Sequence, residues 1–277
     1  MKLIDFDEKF NHKVAKMLEK HAGERTEEEW EDAIAQAYRQ YGETYLAELG
    51  DTPHGYFAKM GDAQLIETLK EYLLQGISVP DFLCEEIERR KATDASLALL
   101  RETDEELVQY ALNLIGADPK AMERYAQMLG EDAYDEHVKD ALADLLKTSS
   151  DAVKEQMLSL ICTENRPYAL EVLSRCKERD ERVLDALLTA FRMEEGQDVP
   201  LYAGYLAAYG DERALPALLD RIDREDIDFV TFQELKFAIE ALGGEYDKAR
   251  DFSEDEAYKK VKAAGLDTDI FTSKKVN

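Results

Sequence analysis

The segment from Asp198 to Ile222 reads DVPLYAGYLAAYGDERALPALLDRI and predicts two short helices with a single glycine between them. In both halves apolar side chains recur every three or four residues, as they do on one face of a helix. Gly210 stands where the first helix would end, since glycine readily adopts the positive φ found just after a helix. Asp211 can then cap the second helix by accepting hydrogen bonds from its first backbone N–H groups. The segment therefore predicts a pair of antiparallel helices.

Helices of similar length are predicted along the chain from Asp62 onward. Glycines fall at or just beyond many of their ends, and capping residues stand at several starts, which is the usual asymmetry of helices. Among the predicted capping residues are Thr103, Asp118 and Ser253. The predicted helices are 62–75, 80–91, 93–101, 104–115, 118–129, 133–147, 151–162, 165–177, 180–193, 198–209, 211–222, 229–242 and 254–264.

The first sixty residues follow a different pattern. Apolar positions among the first twenty predict one amphipathic helix. Thr26 and Glu29 have the spacing of a capping box and predict the start of a long helix, which we expect to end near Gly50, before a turn around Pro53. No run of alternating β-branched and polar residues indicates a strand, so the sequence predicts an all-α protein.

Equivalent helices of the chain can be overlaid on one another. Ala-Met or Ala-Leu pairs begin at Ala121, Ala169 and Ala214, in steps of 48 and 45 residues. A step of that length contains three predicted helices. A period in the forties is typical of HEAT and armadillo repeats.

One repeat unit also resembles a known family. Residues 210–219, GDERALPALL, resemble the opening of the HEAT-like repeats also found in bilin lyases, where a Gly-Asp turn leads into Arg-Ala-Leu-Pro-x-Leu-Leu. Residues 168–173, YALEVL, resemble it weakly, and residues 1–60 do not. The resemblance implies a helical-repeat fold and a general role in holding partners, but not bilin chemistry.

These observations predict an α-solenoid of HEAT/armadillo-like antiparallel helix pairs. We expect residues 1–60 to form an N-terminal helical region that caps the solenoid. Residues 61–250 would contain the repeats, and residues 251–277 a C-terminal helix and tail.

Acidic residues outnumber basic residues by a wide margin. The chain of 277 residues contains 61 Asp and Glu and 35 Lys and Arg, which gives a formal net charge of −26. Nucleic acids and anionic membranes would be repelled, so we expect neither as a partner. From Glu102 to Glu155 there are 14 acidic and five basic residues, and a basic protein or peptide would bind best there. The alternative is that the charge serves only solubility.

Three cysteines, Cys84, Cys162 and Cys176, lack the spacing of a zinc site or a disulfide framework. We expect buried free thiols in a reducing compartment. No apolar segment resembles a signal peptide or a membrane span, so the expected location is the cytoplasm.

No local arrangement of residues in the sequence predicts catalysis, a cofactor or a metal site. The four histidines are far apart, and none belongs to a Glu-x-x-His or HExxH motif: His12, His21, His54 and His137. The segment 223–234 has the acidic ends of a calcium loop. However, Ile227 stands where an oxygen ligand is needed, and Asp228 stands where glycine is needed. Motifs for phosphate binding and for a nucleophile elbow are absent.

Two sets of tyrosines are the candidate binding residues. Each set has a spacing of three and then four residues, which places its members on one side of a predicted helix. The sets are Tyr202, Tyr205 and Tyr209, and Tyr38, Tyr41 and Tyr45. Tyrosine suits interfaces because it combines a large apolar ring with a polar tip, although the same spacing also suits packing between helices.

The sequence favours a non-enzymatic interaction module or scaffold with an acidic, tyrosine-bearing surface for a basic protein or peptide. A narrower form of this hypothesis is an inhibitor that fills the basic active site of a nuclease. The alternative is an enzyme or small-ligand receptor built on helical repeats, which would require a buried carboxylate in a deep apolar pocket. The oligomeric state is left open.

Overall fold

The structure is a computed structural model that describes residues 3–21, 25–102 and 104–264. Every regular element within these ranges is a helix, so the all-α prediction is confirmed. Three short 3₁₀ segments accompany the α-helices: Leu99–Arg101, Lys147–Ser149 and Glu212–Ala214. The α-helices are α1 Phe6–Lys20, α2 Glu27–Gly42, α3 Pro53–Ala58, α4 Asp62–Leu74, α5 Asp81–Arg90, α6 Thr93–Ser96, α7 Glu105–Ile115, α8 Met122–Leu129, α9 Glu136–Leu146, α10 Lys154–Leu160, α11 Arg166–Leu173, α12 Glu181–Met193, α13 Val199–Tyr209, α14 Leu215–Ile222, α15 Phe229–Ala241 and α16 Glu256–Ala263.

The helices predicted from Asp62 onward are found, most of them within about four residues at each end. Their caps differ in places. Asp255 rather than Ser253 caps α16. Helix α8 begins only at Met122, after a turn that follows Asp118. The predicted cap Thr103 lies outside the described residues.

The region around Pro53 differs from the prediction. Helix α2 ends at Gly42 rather than near Gly50, and the expected turn contains helix α3. Pro53 occupies its first position, and the Thr52 hydroxyl accepts a hydrogen bond from the Gly55 N–H at 3.0 Å. Threonine followed by proline is a helix start as well as a turn signal, and here the helix forms.

The chain divides into two compact units, Met1–Ala121 and Met122–Asn277. Each is described by itself below. The predicted boundaries after residues 60 and 250 do not coincide with this division. They rest on the repeat pattern and stay predictions.

An aromatic cluster forms part of the core of the first unit. The Phe82 side chain, on α5, is only 2% exposed. Its ring centroid lies 4.9 Å from that of Tyr38 and 6.0 Å from that of Phe6. The rings of Tyr41 and His54 lie at 6.2 and 4.9 Å. Four helices, α1, α2, α3 and α5, therefore meet at one phenylalanine.

The helices of the second unit pack in successive pairs. Helix α8 packs on α9, α10 on α11, α12 on α13, and α14 on α15. The second members also pack on one another in order: α9 on α11, α11 on α13, and α13 on α15. These four helices begin at Glu136, Arg166, Val199 and Phe229, about 30 residues apart. The predicted three-helix step does not match this pairing, because Ala-Leu pairs occur on many amphipathic helices and do not set a register.

Arginines join the helix pairs of the second unit. The Arg221 guanidinium donates hydrogen bonds to the carbonyl oxygens of Phe191 and Glu194 at 3.2 and 2.7 Å, at the C-terminal end of α12. Arg250 bonds the Ile222 and Arg224 carbonyls at 2.8 and 2.6 Å, at the end of α14. The last carbonyls of a helix have no partner within it, so each arginine satisfies groups that would otherwise be left bare.

A three-residue sequence, Asp-Glu-Arg, occurs at 180–182 and again at 211–213 with the same contacts. In each copy the aspartate accepts the backbone N–H of the arginine two residues later, at 3.0 and 3.1 Å. The Arg182 guanidinium also bonds Glu155 at 2.6 Å, and that of Arg213 bonds Glu181 at 2.5 Å. An equivalent ion-pair connection to the preceding helix pair is thus repeated 31 residues apart.

Candidate functional site

Tyr202 and Tyr205 are half-buried neighbours on α13. Their rings meet edge to face, with centroids 5.8 Å apart and planes at 80°. Burial raises the pKa of Tyr205 well above its ordinary value, and the nearby Glu171 carboxylate adds to the shift. A tyrosine hydroxyl is protonated at neutral pH even at its ordinary pKa, so both hydroxyls can donate hydrogen bonds to a ligand.

Tyr209 does not share that surface, because its side chain is only 2% exposed. Its hydroxyl accepts the Asp180 backbone N–H at 2.8 Å and donates to the Asp180 carbonyl at 3.1 Å. The Arg179 guanidinium lies over its ring, 5.0 Å from the centroid. Tyr209 continues the buried line of Val199 and Leu206, and its contacts with Asp180, the N-cap of α12, pack α13 against the start of that helix.

The tyrosine set of the first unit, Tyr38, Tyr41 and Tyr45, is distributed among three environments. Tyr41 is 5% exposed within the aromatic cluster. Tyr38 is half-buried, and its hydroxyl donates to Asp7 at 3.3 Å. Tyr45 is 66% exposed and lies beyond the end of α2, because that helix stops at Gly42. These three side chains therefore do not form one continuous stripe.

The structure adds a tyrosine that the sequence analysis did not single out. Tyr168 is half-buried on α11, which packs between α9 and α13. Burial raises its pKa, and the carboxylates of Asp140 and Glu136 on α9 raise it further, followed by that of Glu171 on its own helix. Glu136 and Asp140 are one helical turn apart. That acidic spacing is a signal visible in the sequence.

Together these residues form a surface on α9, α11 and α13 that we call the tyrosine–carboxylate face. Its members are Glu136, Asp140, Tyr168, Glu171, Tyr202 and Tyr205. Lys147 neutralises Glu171 through an ion pair of 2.7 Å. Within the described ranges no ion pair involves Glu136 or Asp140. The negative charge without an ion-pair partner therefore lies on the α9 side of the face, beside Tyr168, and that side is suited to cations. Near the other two tyrosines there are also cations, Arg166 beside Tyr202 and Arg175 beside Tyr205.

A second polar cluster lies in the first unit, where His54 of α3 bridges two carboxylates. Its Nδ1 lies 2.7 Å from Glu43 Oε1, and its Nε2 lies 3.0 Å from Glu85 Oε2. Both nitrogens can donate only when the ring is an imidazolium. Partial burial lowers the pKa of His54, but the two hydrogen bonds outweigh it, so the pKa lies above 6.5.

We expect the first unit to become less stable as the pH rises above 6.5, the ordinary pKa of the histidine. A folded-state pKa above the unfolded one contributes stability that is complete below the unfolded pKa and is lost as the pH passes the folded pKa. The stability of the first unit at each pH is measured by denaturant unfolding. The signal is the fluorescence of Trp30, the single tryptophan, which belongs to α2. His54→Asn should be destabilising at about pH 5.5 and less so at about pH 8.5. The control is His137→Asn, because His137 is exposed on α9. A pH-independent cost of His54→Asn would contradict the ion-pair role.

A groove of about 710 Å³ lies beside Tyr38 in the first unit. Its walls include Phe10 and Ile34, and its polar members include Asp7 and Asp81. Burial raises the pKa of Asp81, and Asp7 adds to the shift. The groove is open and Asp81 is exposed, so it does not isolate a carboxylate from water as the alternative of an enzyme requires.

The cysteines and the acidic loop can now be placed. Cys176 is buried as expected, but Cys84 is only half-buried and Cys162 is exposed, so the expectation of three buried thiols is wrong for Cys162. In the loop after α14, Asp223 accepts a hydrogen bond from the Tyr246 hydroxyl at 2.8 Å. Asp228 caps α15. Asp223 and Asp228 thus bind groups of the protein itself.

Within the described ranges, no group of three or more His, Cys, Asp or Glu side chains is arranged to hold a metal ion. No helix there combines the length and the apolar character needed to span a bilayer.

Comparison with known proteins completes the description of the site. Family models, curated proteins and solved structures all gave no match to the chain. The HEAT-like resemblance of residues 210–219 therefore stays a prediction from sequence.

Proposed function

We propose that the protein is a non-enzymatic interaction module that binds a basic protein or peptide through the tyrosine–carboxylate face. The observation that carries the proposal is the position of Tyr168 and Tyr205. Both are half-buried beside carboxylates, on helices that pack on one another in order. Partly buried tyrosines act as anchors of interfaces because they bring area with little loss of entropy. Carboxylates around them attract basic partners and exclude acidic ones.

A helical-repeat scaffold is part of this proposal. Helix pairs with equivalent starts about 30 residues apart are typical of repeat proteins, in which each unit packs only on its neighbours. The repeated contacts of Asp180 and Asp211 support the same arrangement. We therefore propose an α-solenoid of antiparallel helix pairs for the second unit, and its HEAT-like type rests on the resemblance of residues 210–219. Its step is shorter than the one predicted from sequence.

The acidic part of the face can be tested by removing two charges. We expect Glu136→Gln with Asp140→Asn to weaken binding of a basic partner about tenfold at about 50 mM salt, and much less at about 500 mM. The matched control is Glu123→Gln with Asp185→Asn, which changes the net charge equally at exposed positions of α8 and α12. The partner is obtained by affinity capture from native lysate, and the dissociation constant is then measured for each variant by biolayer interferometry.

The same experiment has a tyrosine arm. Tyr205→Ala should increase the dissociation rate of the complex by more than its effect on the stability of the free protein can explain, because an anchor acts on the residence time of a complex. The melting temperature of the free variant measures that effect on stability. Equal weakening by both charge-neutralised variants would show that net charge alone attracts the partner. Loss of stability without loss of affinity in Tyr205→Ala would make that ring a packing residue, and the proposal would fail.

A further inference from the structure

The groove beside Tyr38 in the first unit, which we call the Tyr38 groove, has the size of a small-molecule site. Its volume of about 710 Å³ lies within the usual range of such sites, roughly 300–1,000 Å³. Four of its residues lie on one side of α2, at spacings of three, four and seven from the first: Glu31, Ile34, Ala35 and Tyr38. Seven residues of α-helix rise about 10 Å, so this wall is two helical turns long, with Glu31 and Tyr38 at its ends.

The middle of the wall is apolar. Ile34 and Ala35 lie between the two ends, and Phe10 of α1 also lines the groove. The Phe10 ring meets the Tyr38 ring edge to face, with centroids 4.8 Å apart. Methylene groups laid along this part of the groove would leave water, which is favourable.

The Tyr38 end of the groove carries two carboxylates, Asp7 of α1 and Asp81 of α5. Two donors hold Asp7 in position, because its Oδ1 accepts the Tyr38 hydroxyl at 3.3 Å and its Oδ2 accepts the Ser78 hydroxyl at 2.6 Å. A carboxylate has about four acceptor sites, so both oxygens can accept further hydrogen bonds. Burial raises the pKa of Tyr38, and the carboxylates of Asp81 and then Asp7 raise it further, which places both beside its hydroxyl.

Negative charge predominates in the groove. A neighbouring guanidinium would lower the pKa of Asp81, but burial raises it, and the charged groups that shift it, Asp7 and Glu85, are both negative. Arg39 also lines the groove, and its Nε donates to a backbone carbonyl of α2 at 3.4 Å. Within the described ranges no ion pair involves Asp7, Glu31 or Asp81. The described lining thus contains three carboxylates and one guanidinium, and it attracts cations.

The separation of the carboxylates selects the ligand. Glu31 lies about 10 Å along α2 from the end that carries Asp7 and Asp81. A single ammonium group, such as that of a lysine side chain, can occupy only one end. A linear amine with an ammonium group at each end can occupy both, and its methylene chain then covers the apolar middle.

We propose that the Tyr38 groove binds a linear aliphatic amine with an ammonium group at each end, one bound by Asp7 and Asp81 and the other by Glu31. This site lies in the first unit and goes beyond the proposed function, which rests on the second unit. Affinity should therefore depend on both ammonium groups and on the distance between them.

Isothermal titration calorimetry of the unmodified chain with three probes tests the two-ended site: diaminooctane, its mono-acetylated derivative and diaminobutane. Acetylation removes one ammonium group and keeps the chain, so it should weaken binding at least about threefold at about 50 mM salt. Diaminobutane keeps both charges but is too short to span about 10 Å, so it should bind no more tightly than the acetylated probe. Equal affinity of diaminooctane and its acetylated derivative would show that the groove holds one ammonium group, as a lysine side chain would supply, and would overturn the proposal.

Two substitutions locate the ends of the bound amine. Asp81→Asn should weaken diaminooctane about fivefold, because partial burial beside Tyr38 strengthens a charge-assisted hydrogen bond. Glu31→Gln should weaken it about threefold, since Glu31 is exposed. Glu31→Gln should leave the acetylated probe unaffected, because its one ammonium group prefers the end with two carboxylates. The matched control is Asp32→Asn, which removes the same charge at an exposed position of α2 outside the groove.

Thermal melts check that each variant folds, and the comparison of probes on the unmodified chain needs no variant. Equal weakening of diaminooctane by Asp32→Asn and Asp81→Asn would show that net charge alone attracts the amine, and the proposal would fail. It would also fail if diaminooctane gave neither a heat of binding nor a rise in the melting temperature. These outcomes leave the proposed function untouched, because neither Asp81 nor Glu31 belongs to the second unit.

Discussion

Replacing Phe82 with alanine is expected to lower the free energy of unfolding of the first unit by about 3–5 kcal/mol. The side chain is 2% exposed and contacts aromatic rings from α1, α2 and α3. Its removal costs the transfer free energy of the ring and leaves a cavity that rigid aromatic neighbours cannot fill. The stacked contact with Tyr38, at 4.9 Å, is lost as well.

The measurement is urea unfolding followed by Trp30 fluorescence, since that residue belongs to α2 of the first unit. Leu74→Ala is the control, because Leu74 is 63% exposed on α4 and its truncation should cost less than about 0.5 kcal/mol. A loss below about 1 kcal/mol for Phe82→Ala would mean that the cluster collapses around the missing ring, and that α5 does not hold the other helices together.

The fold class followed from local sequence, and the reason is physical. Short helices have their own apolar periodicity and caps, so the capping box at Thr26 and the cap Asp211 could be predicted without knowledge of the tertiary structure. Gly42 shows the limit. A Cβ there would lie 2.6 Å from His54 Cε1 and 2.7 Å from Phe82 Cε1. That close approach is what requires glycine at the end of α2, and it involves residues 12 and 40 positions away.

The candidate site was only partly predictable for the same reason. Tyrosine spacing correctly indicated that Tyr202 and Tyr205 are neighbours, because that relation lies within one helix. It could not separate them from Tyr209, whose burial depends on Arg179 and Asp180 at the start of α12. Tyr168 has no second tyrosine on its own helix. Its relation to Asp140 becomes visible only when α11 packs on α9.

Replacing Arg221 with methionine is expected to destabilise the second unit by about 2–3 kcal/mol. The arginine side chain is only 8% exposed, and it donates to the carbonyls of Phe191 and Glu194 at the end of α12. Methionine retains the apolar stem but leaves those buried carbonyls without a donor, and the cost of an unsatisfied group exceeds the net gain of a typical hydrogen bond. The guanidinium also loses its position over the Phe191 ring, 5.4 Å from the centroid.

Arg224→Met is the matched control on the same chain segment. Arg224 is 40% exposed and pairs with Asp226 and Glu195, so its loss should cost less than about 1 kcal/mol. Thermal melts by circular dichroism report the helices of both units, and an unchanged melt of Trp30 fluorescence would assign the loss to the second unit. Equal costs at the two positions would contradict the capping role. If Arg221→Met alone is costly, the capped end of α12 positions α13, and the variant should also bind the basic partner of the tyrosine–carboxylate face more weakly, although it removes no residue of that face.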